Sequence, residues 1–82
     1  MLKLNELKKG NIGIINNIQC KDHVKVRLMD MGFNKGDKIK LILVSPSKTI
    51  KAYLIKNTLI SLRDSDAKKI EVEEYYENSS NR

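Results

Sequence analysis

The sequence holds one cysteine, one histidine, one proline and no tryptophan, and each scarcity removes a class of architecture or chemistry. Cys20 alone cannot form an internal disulfide, so the fold must rest on its core. A structural zinc site takes four ligands, usually as two separated pairs, whereas Cys20-Lys21-Asp22-His23 has no second Cys or His to complete it. Cys20 and His23 are therefore the only metal candidates, and they read more simply as incidental residues where a loop meets a helix; no metal and no cofactor is expected. The four glycines, Gly10, Gly13, Gly32 and Gly36, stand apart, and none precedes a Lys-Ser or Lys-Thr pair at phosphate-loop spacing. No Gly-x-Ser-x-Gly elbow presents a serine to His23. The chain is not expected to be an enzyme. No apolar run approaches the roughly 18 residues that span a bilayer, and Met1 to Glu6 lacks the apolar stretch of a secretory signal. These features point to a cytoplasmic protein that does not insert in a membrane.

Aromatic residues are also few. Base stacking on a β surface needs exposed rings, but outside the C-terminal end only Phe33 and Tyr53 are present, and both suit a core. The formal charge is +6, distributed as thirteen Lys or Arg against four acids over Met1 to Arg63 (+9) and three against six from Asp64 on (−3). A basic body could attract an anionic partner. Thirteen lysines, ten isoleucines and eight asparagines, however, indicate a general lean of composition that scatters lysine over solvated surface. Nucleic acid is not the expected partner.

What remains is a chain of 82 residues, one domain, of which such a small fold buries roughly 60% of the unfolded surface. Leu4 to about residue 9 reads as a short helical turn closed by Gly10. The isoleucines at 12, 14, 15 and 18 predict a strand over Asn11 to Ile18, ending near Asn16 and Asn17. Asp22 is a candidate N-cap for a helix over about residues 22–31, in which Val24, Leu28 and Met31 share an apolar face. Gly32 stands where helices end in the left-handed conformation, with Phe33 folding back. Asn34 to Asp37 is a turn, and Lys38 to Val44 a strand that starts exposed and becomes apolar on both faces. Pro46 ends it. Ile50 to Ile55 and Thr58 to Leu62 form a hairpin around Lys56-Asn57, residues 64–68 one helical turn capped by Asp64 or Ser65, and Ile70 to Glu74 a last strand. Residues 1–74 then form the domain, and 75–82 a disordered tail. Five short strands and one inserted helix predict a mainly β, partly open five-stranded barrel, since closure removes bare edges.

Leu4-x-x-Leu-x-x-Gly10, the Ile-rich strand, Arg27-Leu-Met-Asp-Met-Gly-Phe33, Gly36, Val44-Ser-Pro46, Ile60-Ser-Leu-Arg63 and Ile70-Glu-Val72 together resemble the FeoA family, over nearly the whole chain to about residue 73. The resemblance implies an SH3-like barrel with Tyr53 and Ile55 facing inward, and Gly10, Gly32, Gly36, Pro46 and Arg63 as its structural motif. It also implies a non-enzymatic accessory role in bacterial ferrous iron uptake, docking on the cytoplasmic GTP-binding domain of the membrane ferrous transporter. The chain departs from the family pattern in Lys35, where proline is usual before Gly36, in Ser47 to Ile50, where a Leu-Gly-Asp-Pro loop is usual, and in Asn57, where the hairpin has glycine. Leu28, Met29 and Met31 are the candidate anchors: Met29 is the expected exposed contact, whereas Leu28 and Met31 suit the barrel side of the helix, and Lys25 and Arg27 would steer an acidic partner. Weak self-association is compatible with this reading. The alternative is a free-standing SH3-like regulatory module that binds nucleic acid or senses a transition metal.

Overall fold

A computed structural model describes residues 1–19 and 21–76. The strands are β1 (Leu2–Lys3), β2 (Ile12–Ile18), β3 (Lys38–Val44), β4 (Ile50–Ile55), β5 (Thr58–Arg63) and β6 (Ile70–Tyr75), and the helices are α1 (Asp22–Asp30) and α2 (Asp64–Ala67). All six strands belong to one antiparallel sheet of order β1-β6-β2-β3-β4-β5. The sixth strand beyond the five expected is β1. Its two residues are too short to show alternation, and only their pairing with Glu71 and Val72 reveals them.

Two register shifts keep apolar residues inside. In β2, Gly13 and Ile15 face the core, and a shift between Ile15 and Asn17 resets the alternation so that Ile18 also points inward. The strand therefore continues through Asn16-Asn17, where the sequence suggested its end; the extra residue is absorbed as a bulge. Gly13 is needed there because a Cβ would lie 3.0 Å from Val72 Cβ, closer than the sheet can accept without moving. In β3, Ile39 and Leu41 are buried, and a second shift falls between Leu41 and Leu43. Leu43 consequently turns to solvent, so this strand is not buried on both faces as its sequence suggests.

Phe33 and Tyr53 are fully buried, and Ile55 joins them on the inner face. The β4–β5 hairpin turns at Lys56 and Asn57, both with positive φ, the conformation of a two-residue turn whose twist matches the flanking strands. The first helical turn is a 3-10 segment confined to Leu4–Glu6, followed by a bend in which Gly10, at positive φ, donates to the Leu41 carbonyl. Gly36 likewise has positive φ and donates to the Ile15 carbonyl at 2.7 Å, tying the loop after α1 to β2. Lys21 is the N-cap of α1, one residue before the expected Asp22, and Arg63 is that of α2, one or two residues before the expected Asp64 or Ser65, differences within the ordinary spread of helix ends. Strand β6 runs one residue past Glu74, and Lys38 Nζ lies 4.3 Å from the Tyr75 ring centroid. The rest of the expected tail, 77–82, lies outside the described residues.

The end of α1 is fixed by two hydrogen bonds. Phe33 N–H donates to the Leu28 carbonyl at 2.9 Å and Gly32 N–H to the Met29 carbonyl at 3.0 Å, with Gly32 at φ +105°. This pair of bonds is the Schellman closure, and it brings Phe33 back against Leu28 beneath the helix. Gly32→Ala meets no steric obstacle nearer than Lys56 Cδ at 3.7 Å, so its cost is purely that of the backbone angle. We expect Gly32→Ala to lose about 1–2 kcal/mol of unfolding free energy, measured by urea denaturation. An unchanged midpoint would show that the helix end can relax.

Candidate functional site

Helix α1 presents two different sides. At 100° per residue, Val24, Arg27, Leu28 and Met31 fall in one stripe and Val26 and Met29 on the opposite side. Leu28 is buried and anchors the helix to the barrel, while Val26 and Met29 face solvent, at 55% and 42% exposed. Lys25 is half-buried and Arg27 exposed. Met31 is 43% exposed and not seated on the barrel as its helical spacing suggests. The helix ends at Asp30 and its C-cap Met31 keeps right-handed helical backbone, so Met31 stays on the Leu28 side of the helix but lies over the open cleft rather than on the barrel.

Between α1 and the last strand of the sheet runs an open cleft of about 360 Å³. One wall is Val24, Arg27, Leu28 and Met31; the other is Ser61, Leu62 and Arg63 of β5, with Asp66 of α2 at the end. Three of the five expected contact residues, Arg27, Leu28 and Met31, thus meet on one wall, whereas Met29 and Lys25 lie outside the lining. Arg63, expected as part of the structural motif, reaches the cleft from across it. Ser61, Leu62 and Asp66 were not singled out from sequence. Burial alternates along β5, and only the chain's return beside α1 brings that strand's surface to the helix. Gly10, Gly36 and Pro46 belong to turns away from this cleft; Pro46 is exposed in the bend between β3 and β4.

Lys51 Nζ lies 3.2 Å from Asp64 Oδ1 and donates to the Asn5 carbonyl at 2.8 Å. The lysine side chain is only 12% exposed, and it ties the start of α2 to β4 and to the N-terminal turn. The Tyr53 hydroxyl is buried and has no hydrogen-bond partner among the described residues. Burial first, and the Asp64 carboxylate second, push its pKa far above the ordinary tyrosine value. His23 is exposed in the first turn of α1, Cys20 lies outside the described residues, and no group of three or more His, Cys, Asp or Glu able to hold a metal ion forms among the described residues. Among the same residues no helix is long and apolar enough to cross a membrane.

A six-stranded antiparallel sheet with one inserted helix and a two-walled cleft defines a small SH3-like β domain. The chain belongs to the FeoA domain family, which matches residues 2–74. It is 35% identical over 71 residues to a putative Fe(2+) transport protein A of Campylobacter jejuni, covering 87% of this chain and 96% of that protein. It is 33% identical over 72 residues to a Porphyromonas gingivalis fusion of Fe(2+) transport protein A with Fe(2+) transporter FeoB, covering 88% of this chain but 8% of the fusion. The crystal structure of Stenotrophomonas maltophilia FeoA complexed with zinc, described as a prokaryotic SH3 domain protein, superposes with a TM-score of 0.77 at 25% identity, covering 89% of this chain and 91% of that one.

The unpartnered Tyr53 hydroxyl has a measurable consequence. An acid with a raised folded pKa keeps its proton in the folded state while the unfolded chain releases it near pH 10. The unfolded state then binds fewer protons, so stability falls as pH rises through about 10, by up to about 1.4 kcal/mol per unit. Tyr53→Phe is expected to flatten that fall relative to the unmutated chain. At pH 7 it should leave stability unchanged or raised, because no hydrogen bond is lost. Urea denaturation at neutral and alkaline pH measures both effects; a large loss at pH 7 would show that the hydroxyl has a partner.

Proposed function

We propose that this chain is a non-enzymatic accessory protein of bacterial ferrous iron uptake, working in the cytoplasm by docking on the GTP-binding part of the membrane ferrous iron transporter. The observation that carries the reading is the fusion relative, in which a segment similar to this chain is joined to transporter FeoB. Joining two components on one chain raises their effective concentration, which favours contacts that separate chains must make by diffusion. The cleft supplies a surface suited to such a contact. Its floor is Leu28, and its rim carries Arg27, Arg63 and a half-exposed Met31. Methionine's flexible thioether adapts to a partner surface, and arginine approaching an acidic face speeds association. Val26 and Met29, exposed on the outer side of the helix, form a second apolar surface that a partner could use.

Calorimetric titration of the chain with the purified cytoplasmic domain of the transporter tests the reading. Saturable binding is expected, weakened at least about tenfold by Met31→Asp, which places an unpaired carboxylate where an apolar contact forms. Met29→Asp separates the two sides of the helix: a smaller loss than for Met31→Asp assigns the contact to the cleft. No heat of binding with the unmutated chain at high concentration would overturn the docking role.

A further inference from the structure

The two edges of the sheet differ. The β1 edge is two residues long, a length that offers little to an incoming strand. The β5 edge is six residues, Thr58-Leu-Ile-Ser-Leu-Arg63, with no proline, no bulge against β4 and a charge only at its end. Among the described residues no strand pairs with its outer side. Natural edges of this length are normally guarded.

The register shows which backbone groups are free. The two-residue turn makes Ile55 and Thr58 a hydrogen-bonded pair, and at the far end Asp64 N–H donates to the Thr49 carbonyl at 2.8 Å. Both ends set the same alternation, so Thr58, Ile60 and Leu62 exchange hydrogen bonds with β4. The N–H and C=O groups of Leu59 and Ser61 therefore point away from the sheet, as does the N–H of Arg63, whose carbonyl is taken by the first turn of α2. Ser61 and Arg63 also line the cleft, whose opposite wall is α1. A strand edge facing a helix across an open groove is the arrangement in which an extended segment adds to a sheet and lays alternate side chains against the helix.

The charge at the groove selects among occupants. Arg27 stands on the helix wall and Arg63 on the strand wall, with Asp66 the one acid in the lining. Neither arginine has an ion-pair partner among the described residues. Arginine presents a planar fork matched to a carboxylate.

We propose that the β5–α1 groove binds an extended acidic segment of the partner protein as an added antiparallel or parallel strand, hydrogen-bonded to Ser61 and Arg63, with its carboxylates held by Arg27 and Arg63. This rests on the docking role above and specifies its mode. The outer amides of β5 supply the affinity, the arginines the preference for acid, and Leu28 and Met31 receive an apolar side chain from the same segment.

Amide hydrogen exchange of the chain, alone and with the transporter's cytoplasmic domain as probe, reads the groove directly. In the free chain the Leu59, Ser61 and Arg63 amides should exchange faster than those of Ile60 and Leu62, and the probe should slow Ser61 and Arg63 at least about tenfold. Ser61→Pro, which deletes only an outward N–H at an edge strand, should weaken binding by a comparable factor while the amide spectrum stays folded. Arg27→Glu with Arg63→Glu should weaken it too, and raised salt should weaken the unmutated complex. Binding that protects other surfaces and leaves these amides fast overturns strand addition and leaves the docking role standing. Absence of binding overturns both. Protection that grows with concentration of the chain alone would assign the groove to a second copy and overturn the acidic occupant.

Discussion

The closure of α1 at Gly32 is the constraint on which the rest of the surface depends. Left-handed backbone at one residue lets Phe33 N–H reach the Leu28 carbonyl and swings the fully buried Phe33 ring under the helix. Leu28 and Phe33 then hold a nine-residue helix that alone would be too short to persist in water. Their packing sets how far α1 stands from β5. Arg27 and Met31 flank Leu28 on the same wall of the cleft.

The sheet contributes the opposite wall by a different principle. Each register shift moves one residue out of the alternation, so a strand can change the face it buries without breaking its ladder. In β2 the shift recovers Ile18 for the core, and in β3 it releases Leu43 to solvent. The hairpin that follows has no shift, and β5 presents a regular outer edge. The Lys51–Asp64 pair then pins the chain as it leaves that strand.

Much of this arrangement was legible from the chain. Isoleucine density marked β2, the glycine after Met31 marked the end of α1, and Lys56-Asn57 marked the hairpin, because each rests on short-range backbone physics. Tyr53 and Ile55 inward followed from the family resemblance and holds in the fold. The failures were tertiary. Nothing local distinguishes Met31 as a cap from Met31 as a core residue, and a bulge leaves no mark in the order of apolar letters. Strand β1 exists only through its partner in β6. The cleft was legible on its helix side alone, since Ser61 and Leu62 acquire meaning only once β5 is seen beside α1.

The pairing of β2 with β6 joins residues near the two ends of the described chain. Closing so long a loop must precede any gain from burying Ile15, Val72 and Ile70, and contacts of that sequence separation slow folding. During synthesis the β3–β4–β5 meander can form locally while β2 waits unpaired on one side for a strand not yet made. Until β6 arrives, an Ile-rich strand stands as an open edge in the cell, and the interval is one in which the nascent chain is most exposed to aggregation or to a chaperone.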